Sequence, residues 1–290
     1  MSIKSVFDSG YLKLLRSCAK IEFLTDMGCS MEWIEKIGRS IGKAGKSFGG
    51  TLAFSGKVLA RMLRRKTYSS ATREVLVNQI YFTSVQILPA FLLVSILFSS
   101  LLVGIVFQVL KDFGLTEFFG HVLMGLIVTE LSPIFAVLLI TLRSASAINV
   151  EMAVMKSNRE LKTLETFRID LMNYLVVPRI INGMVSMVLL SSLFAIVLMA
   201  SGVLFSGLIF DMSVDVYRNI LLNSTSFSDI FIALVKCAIF GFFITLIPIR
   251  FGLRATSELT SVPVVVSGGM VNVFLAVLII EVLSLLTKLL

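Results

Sequence analysis

The sequence predicts an all-α membrane protein, in which an N-terminal amphipathic helix lies in the membrane interface and five transmembrane helices follow. Three observations carry this reading. Hydrophobic residues make up 57% of the 290 residues and charged residues only 15%, whereas a soluble domain needs roughly a quarter of its residues charged. Mean hydropathy is +0.95. Apolar runs long enough to cross a bilayer recur along the chain, divided by short charged segments. Disorder is excluded, because disordered chains are poor in apolar residues. Three Cys in a chain of this length make no disulfide framework.

Residues 1–30 carry no readable motif and form an N-terminal segment of unknown role. Residues 31–74 read as a basic amphipathic interfacial helix. Ile34, Ile37, Ile41, Phe48, Leu52, Leu59 and Leu63 recur at helical steps, and Lys and Arg fill much of the rest. Six Gly between residues 38 and 56 weaken it and predict a break. Gly42-Lys43-Ala44-Gly45-Lys46-Ser47 ends like a phosphate-binding loop, but Ser40 stands where the pattern needs its first Gly, and no strand precedes it. The chain is therefore expected to carry no nucleotide site of its own.

Residues 75–290 hold the spans. Val75 to Leu110 is uncharged, with span 1 at Ile87 to Val109. Span 2, Phe118 to Leu142, carries only Glu130. Span 3, Ile180 to Phe210, is uncharged. Span 4, Ile230 to Ile249, carries only Lys236, and span 5, Leu259 to Leu286, only Glu281. Pro89, Pro133, Pro248 and Pro263 lie near or within spans, which bundles tolerate.

Basic residues orient the bundle. Residues 1–74 hold 14 Lys+Arg, the 143–179 loop six, and the 250–261 loop two. The 111–117 and 211–229 loops hold one each. Positive loops stay cytoplasmic. The expected topology is a multi-pass inner-membrane protein with its N-terminus cytoplasmic and its C-terminus periplasmic. The net charge of +8 then reflects topology and anionic lipid, with no nucleic-acid partner. No signal peptide is readable. Cys18 and Cys29 fall in the cytoplasmic segment and should be reduced, Cys237 lies within span 4, and none has metal-ligand spacing.

Chemistry is sparse. The single His, His121, stands near the end of span 2 with no nucleophile or carboxylate set around it. No paired carboxylates share a membrane level, so neither catalytic nor metal-binding residues are assigned. Glu130 stands out because a carboxylate in the hydrocarbon region is costly and turns to the bundle interior or a wet cavity. Its use is either a substrate cavity or gate, or a purely structural interhelical hydrogen bond. The 143–179 loop also stands out. Val154, Leu161, Leu164, Leu171 and Leu175 share one helical face, with Lys156/Glu160, Lys162/Glu165 and Glu165/Arg168 at helical pair spacing. It is either a connector or a docking surface for a partner that supplies energy.

Glu130-Leu131-Ser132-Pro133, Leu142-Arg143-Ser144-Ala145-Ser146-Ala147, Val150-Glu151-Met152-Ala153-Val154-Met155, Glu160-Leu161 and Val177-Pro178-Arg179 follow one another in order. The set resembles the MlaE/YrbE family, the permease subunits of MCE-type lipid ABC transporters, and with the flanking spans the resemblance covers about residues 31–290. The family's Gly residues become Ser132, Leu142, Ser144 and Ala153. Its Arg before the Glu becomes Thr129, its E-Q becomes Arg159-Glu160 and its D-P becomes Asp170-Leu171. The chain therefore reads as a divergent member.

The resemblance implies a phospholipid-transporting permease that works between the inner membrane and the periplasm or outer membrane. It implies a homodimer with two ATPase subunits and a periplasmic MCE-domain protein. The chain would then be no enzyme and hold no cofactor, with ATP bound by the partner. Docking of the ATPase is expected through Glu151, Met155, Glu160, Leu161, Glu165 and Asp170. Two copies should enclose a lipid cavity lined by Phe107, Leu110, Met124, Ile127, Glu130 and Leu131. With Thr129 in place of Arg, Glu130 lacks a sequence-local cation and is expected protonated or solvated, a polar hinge. A non-transporting membrane scaffold and an ion-coupled secondary transporter are the competing readings.

Overall fold

A computed structural model of the chain describes residues 49–51, 53–62, 77, 79–208, 213–256, 258 and 260–289. Residues 1–30, Cys18, Cys29, the Gly42–Ser47 motif and most of the 31–74 helix lie outside them. The chain divides into two compact units, Met1–Phe54 and Ser55–Leu290, and everything below concerns the second. Its described residues are helical throughout apart from short connections, with no strand among them.

Residues 79–85 are helical and lead into α1, Leu88–Asp112. Pro89 opens α1 in its first turn, where a missing N–H costs nothing. α1 ends on Gly114 at φ +69. There Gly114 N–H bonds to the Lys111 carbonyl at 3.0 Å and Leu115 N–H to the Leu110 carbonyl at 2.8 Å. This paired closure satisfies carbonyls that the helix end would orphan, and it needs the left-handed residue that Gly supplies.

α2 runs Thr116–Ser157, 42 residues. At 1.5 Å per residue it is about 63 Å long, twice the ~30 Å hydrocarbon layer. Two stretches, Leu123–Leu131 and Thr141–Ala145, wind more widely than an α-helix. The first ends two residues before Pro133, and Ser132 N–H reaches back to the Ile127 carbonyl. A widened turn makes room for a ring that can neither donate nor pack against the preceding turn.

Short α3, Glu160–Thr166, follows, bracketed by Arg159 at φ 61 and Arg168 at φ 58. Met172–Val176 winds into α4, Val177–Leu208. α5 is Val214–Ser224, capped by the Ser213 hydroxyl, which accepts from Val216 N–H at 3.4 Å. α6 is Phe227–Gly252, with Pro248 inside it, and α7 is Ser261–Leu289. Five segments are long and apolar enough to cross a membrane: α1, α2, Met172–Leu204, α6 and α7.

The 143–179 segment differs from its reading as one loop. Residues 143–157 continue α2, and the left-handed turns at Arg159 and Arg168 cut the rest into separate pieces. Arg143 ends the apolar run but not the helix, because charge marks where lipid contact stops and leaves backbone hydrogen bonding untouched. The stripe from Val154 to Leu175 is therefore shared among three elements. None of Lys156/Glu160, Lys162/Glu165 or Glu165/Arg168 forms an ion pair; Glu160 instead accepts from Asn158 Nδ2 at 3.2 Å.

Packing follows small residues. α6 lies centrally, against α4, α7 and the last third of α2. Gly183 of α4 and Gly241 of α6 meet backbone to backbone, and a Cβ on Gly241 would collide with Gly183. On α1, Ser95, Ser99 and Val103 turn inward, while Leu93, Leu97, Leu101 and Ile105 form an exposed stripe. This inversion suits a helix with lipid on its outer face.

Candidate functional site

A charge cluster lies between α2, α6 and α7. Lys236 of α6 is ion-paired with Glu130 of α2 and, at 2.8 Å, with Glu281 of α7. Lys288, in the last turn of α7, is ion-paired with Glu130 and lies 2.8 Å from the Thr129 hydroxyl. Side-chain exposure is 5% for Lys236, 6% for Glu130, 13% for Glu281 and 32% for Lys288. Two ammonium groups and two carboxylates balance, so the bundle carries no net charge here. Any one of them left alone would face a desolvation penalty of several kcal/mol.

This corrects two expectations. Glu130, expected protonated or solvated for want of a sequence-local cation, is ion-paired with Lys236 and Lys288 from distant helices, and two carboxylates do share a level through Lys236. Spans 2, 4 and 5 each carry one internal charge, which was the available signal; one ionisable residue per span calls for a common meeting point. The position of Lys288, at the far end of the chain from Glu130, had no comparable signal.

Thr129 also lines a small cavity of about 70 Å³ between α2, α4 and the start of α6. Its wall includes Met124, Ser132, Ser191, Asp229 and Cys237. Ser132 Oγ donates to the Ser191 carbonyl at 2.8 Å, and Cys237 is a free, buried thiol. This volume holds a few waters, far from the space a two-tailed lipid fills. Of the residues expected to line a lipid cavity, Met124 is on this wall and Glu130 adjoins it. Phe107 is buried edge-on to Phe119 with ring centroids 5.4 Å apart, Ile127 is fully buried, and Leu110 and Leu131 are half-buried.

The residues expected to couple to an ATPase gather at the α3 end of the bundle. Glu151 is ion-paired with Arg179, joining α2 to the first turn of α4. Asp170 is ion-paired with Arg61 and accepts from Met172 N–H at 3.1 Å and Asn173 Nδ2 at 3.0 Å. Glu160 and Glu165 are exposed and Met155 is half-buried. Leu161 is only 3% exposed and faces a groove of about 370 Å³ lined by Met152, Ile169, Leu175 and Leu253. Phe167, at the end of α3, is 72% exposed, and sequence reading passed over it. Its neighbour Arg168 in the left-handed region turns the chain there, a backbone feature that hydropathy does not report.

At the opposite end, His121 is exposed in the first turns of α2. No group of His, Cys, Asp and Glu able to hold a metal occurs among the described residues.

Five long apolar helices around a buried charge cluster define a multi-pass membrane protein. A family model described as Permease MlaE matches residues 76–287, and the chain belongs to that family. It is 32% identical to a probable ABC transporter permease protein of Synechocystis over 61% of this chain and 69% of that one. It is 29% identical to the intermembrane phospholipid transport system permease protein MlaE of Haemophilus influenzae, over 71% of this chain and 79% of that protein. It is 28% identical to the chloroplastic protein TRIGALACTOSYLDIACYLGLYCEROL 1 of Arabidopsis thaliana, over 77% of this chain and 63% of that protein.

Proposed function

We propose that this chain is the membrane subunit of an ABC transporter that moves phospholipids or related lipids between the inner membrane and the periplasm or outer membrane. The observation that carries this is the family match over residues 76–287, which covers every span. The name of the Haemophilus relative supplies the lipid. ATP would be bound and hydrolysed by two copies of a separate ATPase, and a periplasmic MCE-domain protein would exchange lipid with the permease. A second copy of the chain would complete the lipid cavity, because the cavity beside Thr129 in one copy is about 70 Å³. The charge pattern supports placing α3 in the cytoplasm and α5 outside.

The geometry suggests how such a subunit would work. α3 sits between the end of α2 and the start of α4, and Glu151 and Arg179 tie those helices together. ATPase closure on the exposed face of α3 would shift both. α2 would transmit the shift to its widened turn, Leu123–Leu131, which carries Glu130. A non-α turn is a place where a helix changes pitch cheaply. The cluster would hold α6 and α7 in register during that change.

The buried cluster also favours a second reading, an ion-coupled secondary transporter, since such proteins place ionisable groups within the bundle. A reconstituted assay separates the two readings and the scaffold alternative. Labelled phospholipid transfer from proteoliposomes should require ATP and the ATPase subunit. Ala195→Phe, which fills the cavity beside Thr129, should reduce transfer at least tenfold while ATP hydrolysis persists. Transfer driven by an ion gradient without ATP would establish the second reading, and no transfer under either condition would leave the scaffold.

A further inference from the structure

Arg179 is 7% exposed, and its Nη2 donates to the Glu151 carboxylate. Its Nη1 is buried without a partner. A guanidinium offers five N–H donors in a planar fork, and a buried donor left unmet is unfavourable. Arg179 stands on the wall of a polar cavity of about 400 Å³, a volume typical of small-molecule sites. Three helical segments line it, and it is open on one side. The segment before α1 supplies Gln79 and Gln86, α2 supplies Arg143 and Glu151, and α4 supplies Arg179 and Asn182. Gln79 Oε1 is a second buried atom without a partner, and its amide turned over would present an NH₂ group. Arg143 is exposed and makes no ion pair among the described residues, so the wall holds two guanidiniums against one carboxylate.

Unmet guanidinium donors together with excess positive charge suit a phosphate, whose oxygens match the guanidinium fork. The neighbours of the lining residues say where that phosphate comes from. Val85 precedes Gln86, Leu142 precedes Arg143 and Val150 precedes Glu151, and all three apolar side chains are exposed. The polar wall is thus flanked by side chains that suit acyl chains. Adjacent residues on a helix point about 100° apart, so one flank meets lipid while the other faces the cavity.

We infer that this cavity binds the phosphate of a membrane phospholipid in the leaflet at the α3 end of the bundle, held by Arg143 and Arg179. The inference goes beyond the transport reading, because it rests on the membrane-spanning fold and its test reads binding alone. The site is separate from the Glu130 cluster, and a lipid seated there would brace the segment before α1, α2 and α4 against one another.

The test uses the full-length chain, delipidated in detergent, with bound molecules counted by native mass spectrometry during titration. The probes are a short-chain phosphatidylglycerol, the matching diacylglycerol and inorganic phosphate. Phosphatidylglycerol should fill a saturable site on each chain, and the other two should bind it at least tenfold more weakly. Arg143→Gln, at an exposed position, should weaken that site roughly tenfold, as expected for a lost charged hydrogen bond. Arg143→Lys should recover part of the loss. Arg179→Gln combined with Glu151→Gln removes the guanidinium without orphaning the carboxylate, and should also lose the site. Equal binding by Arg143→Gln, or equal binding of the diacylglycerol, would overturn the proposal. Inorganic phosphate binding as tightly as the lipid would make this a soluble-anion site and overturn the lipid assignment. ATP-driven transfer is measured separately, so loss of one reading leaves the other standing.

Discussion

The ammonium of Lys288 lies 2.8 Å from the hydroxyl of Thr129 and is ion-paired with the neighbouring Glu130. The MlaE/YrbE pattern has an Arg at the position of Thr129. This chain supplies the cation from the last turn of α7 instead. Glu130 thus meets two ammonium groups, Lys288 from α7 and Lys236 from α6, and neither is its neighbour in sequence.

Substitutions in the cluster should therefore be strongly non-additive. Lys236→Met leaves Glu130 and Glu281 facing each other with only partly exposed Lys288 nearby, and should cost about 3–5 kcal/mol. Lys288→Met should cost about 1 kcal/mol, because its side chain is 32% exposed. Glu130→Gln combined with Lys288→Met retains the Lys236–Glu281 pair and should cost less than the two single changes summed. Thermal melting of the detergent-solubilised protein gives the comparison, and simple additivity would mean the pairing contributes nothing.

At the other end of the bundle, Phe167 and Glu165 are exposed while Leu161 is buried. Phe167→Asp with Glu165→Lys should release the ATPase during co-purification while the permease stays monodisperse. Leu161→Asp should instead destabilise the permease itself, by about 2–5 kcal/mol, since it places a charge in an apolar groove. If Phe167→Asp leaves co-purification intact, the docking face lies elsewhere.

What the sequence made legible follows from the physics of each signal. The five spans were readable because hydrocarbon demands about 20 apolar residues per crossing, and little else in a protein produces such runs. Glu130 was readable for the opposite reason, as a lone carboxylate in such a run. Its partners were not paired from sequence, because Lys236 and Glu281 sit on other helices and hydropathy says nothing of which faces meet. The length of α2 was missed because Arg143 closes the apolar run while the backbone continues helical to Ser157. The inward turn of Leu161 depends on left-handed Arg159, which helical periodicity drawn straight through residues 154–175 cannot represent.

The orientation rests on charge and is open to labelling. Asp215 on α5 and Lys162 on α3 are both exposed. In a background lacking native Cys, Asp215→Cys should react with an impermeant thiol reagent added to spheroplasts, and Lys162→Cys should react only after lysis. The reverse pattern would invert the bundle.

Tyr217 offers a pH test of how α5 is held. Its ring is buried against α4, where a Cβ on Gly202 would collide with it, and its hydroxyl donates to the Met199 carbonyl at 3.3 Å. Burial pushes the phenol up from 10.0 to about 12, because the phenolate would lose its water. The folded state thus holds this proton more tightly than the unfolded chain does. The stabilisation is complete below pH 10 and is lost as pH rises from 10 towards about 12. α5 should therefore stay docked at neutral pH and loosen in that alkaline window. Tyr217→Phe should remove the high-pH titration from the phenolate absorbance and cost about 1 kcal/mol for the hydrogen bond. Gly202→Ala should displace the ring, expose the phenol and bring its titration back towards 10.0. A Gly202→Ala protein with an unchanged high-pH titration would show that Tyr217 is not held against Gly202.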